Sequence, residues 1–153
     1  MTADNAEDDA GYLVAPADWP GDETTIRAIR ERVFIQEQGI PAELEWDGLD
    51  HECVHMLAYD MAGKAIATAR MQADGHIGRM AVLPEWRGHG VGSSLLLMLV
   101  ELAAAHELDE VYLDAQTSVA SFYHQHGFIA TGEEEFEAAG IPHIRMSRFT
   151  TDP

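Results

Sequence analysis

Three glycines at alternate positions, Gly88, Gly90 and Gly92, narrow most sharply what this chain can fold into. They follow a strand-like run from about His76 to Val82, which Pro84 stops because proline has no N–H to give a sheet. They precede an apolar stripe at helical spacing, Leu95, Leu96, Leu99, Leu102 and Ala103, which predicts a long helix from about Val91 to His106. A strand, a tight loop and a helix in that order aim the unpaired N–H groups and positive dipole end of the helix at one spot. Glycines there remove side chains, so the backbone can close around an anion. Arg87 adds a fixed positive charge. The arrangement suits a pyrophosphate; the bland alternative is a turn that feeds a helix and binds nothing.

Spacing excludes two common pyrophosphate ligands. A nucleoside-triphosphate loop ends in Gly-Lys-Ser/Thr, whereas Gly92 is followed by Ser93 with no lysine. A dinucleotide fingerprint, G-x-G-x-x-G, needs glycine where Ser93 stands.

The remaining periodicities fill in an α/β (α+β) architecture. Residues 1–10 read as a disordered acidic N-terminus and residues 11–150 as one domain. Tyr12-Leu13-Val14 reads as a short strand, and Thr24 or Thr25 as the cap of a helix carrying Ile29, Val33 and Phe34 and ended by Gly39 and Pro41. Residues 41–52 read as a loop or one helical turn. The period then changes: residues 54–59 and 65–71 predict a hairpin, and further strands are expected at 76–82, 111–115, about 128–131 and 141–148. A short helix from Val119 to His126 ends at Gly127, a natural C-cap.

The chain carries 27 carboxylates against nine Lys and Arg, for a formal net charge of −18. Self-repulsion at that density destabilises a compact state in dilute buffer. At about 1 M salt the Debye length falls to roughly 3 Å and screens it. Because the carboxylates run through the whole chain, the composition reads as adaptation to molar salt, a halophilic trait, in preference to an acidic block for a basic partner. Nucleic acid and anionic membrane are excluded as broad partners, since phosphate contacts need clustered Lys and Arg. The longest apolar run, Leu95 to Val100, is too short to span a bilayer, and the acidic start is unlike a secretory signal. One cysteine, Cys53, allows no internal disulfide. These features point to the cytoplasm. They leave oligomeric state open, with a homodimer among the options.

Arg87-x-x-Gly90-x-Gly92 after a strand resembles motif A of the GNAT acetyltransferases, Arg/Gln-x-x-Gly-x-Gly/Ala. Phe122-Tyr123-His124-Gln125-His126-Gly127-Phe128 resembles the same superfamily's Phe/Leu-Tyr-x-x-x-Gly-Phe signature. One helix and one strand lie between the two, as that family requires. Val33–Gln38, Val111–Gln116 and Gly140–Ile144 resemble the ElaA-like branch, so the likeness runs from about residue 25 to 148. It implies a GNAT fold: a central mixed, mostly antiparallel sheet of six to seven strands with a splayed parallel pair, flanked by about four helices.

The resemblance also implies an activity, the transfer of an acetyl group from acetyl-CoA to a primary amine, here of a small molecule, in a ternary complex without metal. Carried over, backbone groups of Met80, Ala81 and Val82 pair with the pantetheine arm. Residues Gly88, His89, Gly90, Val91 and Gly92, with Arg87, hold the pyrophosphate, and Gln116 and Phe122 complete the cofactor site. Tyr123 matches the family's tyrosine and is the natural proton donor to the departing thiolate. Glu37, near the acceptor side, is a candidate base if burial raises its pKa. Gln38 and His143 are candidates for the acceptor pocket, and a water chain is an alternative route for the proton. Gln116 stands where many relatives have Asn, and Ser121 where the ElaA-like branch often has Asn.

Two other readings remain. His51-Glu52-Cys53-Val54-His55 matches the zinc-hydrolase pattern H-E-x-x-H, which requires a helix to put both histidines on one face. The predicted context is a turn followed by a strand, on which residues four apart lie about 13 Å from each other. The second alternative is a non-catalytic relative that retains CoA binding.

Overall fold

The computed structural model describes residues 11–151, so the expected disordered terminus at 1–10 lies outside the described residues. Eight strands among these residues form one sheet, in the order β1-β2-β3-β4-β5-β8-β6, with β7 paired to β8. They are β1 (Tyr12–Ala17), β2 (Val54–Asp60), β3 (Ala65–Met71), β4 (His76–Val82), β5 (Glu110–Gln116), β6 (Ile129–Ala130), β7 (Phe136–Ala138) and β8 (Ile141–Phe149). β4 and β5 are the parallel pair; every other pairing is antiparallel. The sheet therefore has one strand more than the sequence indicates. The extra strand is β7, whose acidic surroundings (Glu133, Glu134, Glu135, Glu137) read as a loop.

Helix α1 (Glu23–Arg30) starts after Asp22, earlier than a Thr24 or Thr25 cap would place it. It continues as a π-helical turn over Glu31–Glu37. There the amides of Gln38 and Ile40 reach back to the carbonyls of Val33 and Phe34 at 3.1 and 2.9 Å. A π turn inserts an extra residue per turn and rotates whatever follows. Here it swings Glu37 and Gln38 toward the glycine loop and β5. One short turn, α2 (Ala42–Glu45), comes next, then α3 (Val91–Ala105) and α4 (Ala120–Gln125), close to the expected limits.

The sheet carries apolar side chains on both faces. One face packs against Leu95, Leu96 and Leu99 of α3, which are fully buried together with Met56, Ile66 and Ile77 of the strands. The other packs against Ile26, Ile29 and Val33 of α1 through Leu57, Ala81 and Leu83. Each fully buried Leu or Ile contributes roughly 1.5–3 kcal/mol, so the two helices clamp β4 from opposite sides. Strand alternation puts Met80 and Val82 on the α3 side and Ala81 on the α1 side.

One network of paired charges, with Arg30, Glu45, Asp50 and Arg70 buried, has no counterpart in the sequence reading. Arg30, fully buried on α1, donates to Glu45 and Asp50 at 2.7 and 2.6 Å. Arg70 of β3 binds Asp47 and Asp50, and Arg79 of β4 lies 3.4 Å from Glu45 and 3.2 Å from Asp47. Three arginines thus neutralise three carboxylates. They pin the α2 segment over the start of β4, and the Trp46 ring lies under the guanidinium groups of Arg27 and Arg30.

Candidate active site

β4 and β5 pair only at their beginnings, His76 with Tyr112 and Ile77 with Leu113. Beyond that point β4 stays with β3 and β5 stays with β8, so the two strands part. A register shift between Thr68 and Arg70 of β3 marks a bulge, opposite which Arg79 has φ +50°. A non-glycine residue in that region is strained, and bulges re-aim strands next to functional sites.

A groove of about 680 Å³ opens along the parted side, lined by Met80 and Val82, the glycine loop, and Phe122 and Tyr123 of α4. At its floor the loop presents free donors. The amides of residues 88–93 donate to no backbone carbonyl among the described residues, the first helical bond being Ser94 N–H to the Gly90 carbonyl. Gly88 and Gly90 have φ +81° and +85°, a conformation that glycine adopts without strain, and a side chain at Gly88 would meet nothing within 4 Å. Tyr12 of β1 props the loop from behind, bonding the Gly90 carbonyl at 3.0 Å and Ser94 Oγ at 2.7 Å. Six free amides at a helix start in an open cleft fit a pyrophosphate.

Of the residues expected to hold the cosubstrate, Met80, Val82, Arg87, Gly88, Gly90, Val91, Gly92, Gln116 and Phe122 line this groove, as does Gln38. Ala81 does not: its side chain is buried against α1. His89 leans on Trp86, with ring centroids 5.2 Å apart. Arg87 is engaged within the protein, where its two terminal nitrogens bind the Glu37 carboxylate at 2.7 and 2.8 Å and its Nε binds the Val82 carbonyl at 3.0 Å. The same contact decides the electrostatics of Glu37. Arg87 holds its carboxyl below the ordinary range, the reverse of the raised pKa expected for a base. Gln38 and Gln116 join across the groove at 3.0 Å.

A second cavity, of about 250 Å³, lies on the other side of the parting. Phe34, Met80, Gln116, Val119 and Tyr123 line both spaces, so the two meet at Tyr123. Burial pushes the Tyr123 phenol up to about 12, with no charge or hydrogen bond contributing. Its deeper walls carry Glu45, His76, Arg79, Asp114 and His143. His143 donates from Nδ1 to the Ile141 carbonyl at 2.7 Å, which leaves Nε2 as the acceptor nitrogen of the neutral ring. Its ring stacks on Phe136 of β7, the unforeseen strand. Asp114 is bound by Arg145 through two bonds of 2.8 and 3.0 Å, and its carboxyl is held below the ordinary range despite burial.

The H-E-x-x-H segment has the wrong geometry for a zinc hydrolase. Asp50–Glu52 is a 3₁₀ turn and Val54 opens β2, so no helix aligns His51 with His55. His51 is exposed, whereas His55 is buried, bonds the Asp50 carbonyl at 2.8 Å through Nε2 and stacks on Trp19. Among the described residues no three His, Cys, Asp or Glu side chains cluster as metal ligands.

Residues 23–149 match the family model described as "Acetyltransferase (GNAT) domain". The chain is 37% identical over 123 residues to the "Uncharacterized N-acetyltransferase YjcF" of Bacillus subtilis, a match that covers 78% of this chain and 87% of that one. It is 35% identical over 128 residues to "Protein ElaA" of Escherichia coli, covering 78% and 82%. The crystal structure of Escherichia coli ElaA superposes with a TM-score of 0.75 at 30% identity, covering 90% of this chain and 98% of that one. That of an acyl-CoA N-acyltransferase from Pseudomonas aeruginosa gives 0.76 at 29% identity, covering 90% and 98%.

Proposed function

The chain belongs to the GNAT acetyltransferase family, and on that premise we propose that it transfers an acetyl group from acetyl-CoA to a primary amine of a small molecule, by direct attack in a ternary complex. As a member it is an acyltransferase that uses an acyl-CoA; the acetyl group, the small acceptor and the residue roles are the proposed part. The observation that carries the reading is the set of amides at residues 88–93 without backbone partners, in a loop that lines a groove running along parted strands to a tyrosine.

In this reading those amides hold the pyrophosphate, with Arg87 at the rim. Strand β4 lacks a partner on its β5 side beyond Ile77, so the backbone of Met80, Ala81 and Val82 is left to receive the pantetheine arm as an added strand. Gln116 and Phe122 flank the arm. The thioester would reach the place where the two cavities meet. The amine enters from the second cavity, where His143 on the wall binds it, with Gln38 contributing from the groove side. Its nitrogen, as the neutral amine, attacks the carbonyl carbon, the new N–C bond forms, the C–S bond breaks, and the proton the nitrogen loses restores the one Tyr123 gives up. Tyr123 gives its proton to the sulfur; with a pKa near 12 it is fully protonated at neutral pH and able to donate.

Release of free thiol from acetyl-CoA, followed with a panel of small primary amines, tests this reading. Amine-dependent release is the expected result. Binding of acetyl-CoA without release for any amine would leave a non-catalytic CoA-binding protein, and the transferase reading would fall.

A further inference from the structure

The second cavity contains one buried group that no role above absorbs. Glu45 is 3% exposed, yet it lines that cavity. Oε2 accepts from Arg30 Nε at 2.7 Å. Oε1 accepts no hydrogen bond among the described residues, and it is not sealed away, because His55 Nδ1 is the unpartnered side-chain atom that is. A carboxylate oxygen held in a buried residue without a hydrogen-bond partner is costly, and the residue that carries it lines the space assigned to the acceptor. The Glu45 carbonyl accepts from Arg79, the residue that precedes Met80 on the parted strand. The Arg79 guanidinium thus ties Glu45 to the strand assigned to the pantetheine arm.

We propose that Glu45 is the general base of the reaction: Oε1 receives the acceptor as its ammonium ion and removes the proton that makes the nitrogen nucleophilic. This rests on the acetyl-transfer reading of the same site. The protons balance. The ammonium gives one to Glu45, and the neutral nitrogen attacks. The further proton that the nitrogen loses as the amide forms replaces the one Tyr123 gave to sulfur. Glu45 then returns its proton to solvent, for a net release of one.

The surroundings suit a base better than those of Glu37. Burial raises the Glu45 carboxyl, against the pull of Arg79, Arg30 and Arg70. The other charged or titratable groups around it are Asp47 and Asp50 within the buried network, and His76, Asp114, His143 and Tyr123 across the cavity. Asp114 is taken by Arg145, which leaves Glu45 as the carboxylate in the cavity with a free oxygen.

The test compares acceptors that do and do not need a base. Alkylamines are protonated at pH 7, whereas hydroxylamine and acyl hydrazides are already largely neutral there. Glu45→Gln should lower kcat/KM for alkylamines by about 10²–10⁴-fold, with acetyl-CoA affinity unchanged, and should cost the neutral acceptors less than about tenfold. Glu45→Asp keeps the charge beside Arg30 but withdraws the free oxygen. It should show the same acceptor dependence at smaller amplitude, and it carries the test if the Gln variant does not fold. Equal losses for both acceptor classes would mark Glu45 as a structural partner of Arg30 and overturn the proposal, as would wild-type rates with alkylamines. If the unmutated protein binds acetyl-CoA but acetylates no amine of either class, the transferase reading itself fails, and Glu45 as its base fails with it.

Discussion

Arg87 and Glu37, fifty positions apart, are joined by two charge-assisted bonds of 2.7 and 2.8 Å that tie the end of the first helix to the glycine loop. The pair is partly exposed, with side chains 42% and 40% accessible, so it is worth roughly 1 kcal/mol or less. Its role is geometric. Glu37→Gln should leave thermal stability close to that of the unmutated protein and keep turnover within a few-fold. A loss of a hundredfold or more would restore Glu37 as the base.

Tyr123→Phe removes the proposed proton donor and leaves the ring in place. We expect kcat to fall by about 10²–10³-fold, while calorimetry gives an unchanged affinity for acetyl-CoA. Because burial raises this phenol to about 12, the unmutated enzyme should show no alkaline loss from Tyr123 through pH 10. A decline at lower pH that Tyr123→Phe abolished would contradict that assignment.

Gly90 sits at φ +85° as the N-cap of α3, with its carbonyl held by Tyr12. Gly90→Ala forces an L-residue into left-handed backbone at a cost of roughly 1–2 kcal/mol. The strain falls on the loop assigned to the pyrophosphate. Acetyl-CoA affinity should drop at least tenfold while the melting temperature falls by only a few degrees. Unchanged affinity would separate the loop from the ligand.

Arg30 compensates Glu45 and Asp50 inside the fold. Arg30→Met removes the hydrogen-bonding cation of Glu45 and leaves Asp50 to Arg70 alone, and breaking a buried pair from one side costs roughly 3–5 kcal/mol. Denaturant unfolding reads this directly. The acid side carries a sign. Arg30 and Arg70 hold the Asp50 carboxyl below its ordinary value despite burial. Its contribution to stability is therefore complete above that value and is lost as pH falls through the lower folded one. Glu45, raised by burial, acts with the opposite sign and opposes folding as pH rises through its shifted range. A variant whose stability above pH 5 equals that of the unmutated protein would show that the network is not a net support.

The net charge of −18 predicts a salt response. Raising KCl from 0.1 to about 2 M shortens the Debye length below roughly 3 Å, and each kcal/mol of relieved repulsion should raise the melting temperature by roughly 2–4 °C. A melting temperature that is flat or falling in salt would remove the case for adaptation to high salt.

Periodicity and punctuation made much of the fold legible. The 3.6-residue stripe of α3, the stop at Pro84 and the glycines at 88, 90 and 92 mark the strand, loop and helix where they stand. Local sequence says less about pairing across space. Arg30 meets Glu45 and Asp50 only after the chain has turned through α2, and in a chain with 27 carboxylates nothing singles out the two buried ones. Local sequence does not distinguish Glu45 from its acidic neighbours Glu43 and Asp47. The turn at Glu31–Glu37 keeps a helical pattern on paper, yet its π bonding redirects Glu37 to Arg87 and Gln38 to Gln116. Tyr12 reads as an ordinary strand residue, and only the folded sheet brings its hydroxyl to Gly90.

Titration of acetyl-CoA into the protein by calorimetry in molar salt tests the central claim most directly. The free amides of residues 88–93 predict saturable binding at one site per chain. No heat of association at any ligand concentration reached would contradict it, since a groove that does not take the coenzyme cannot deliver its acetyl group.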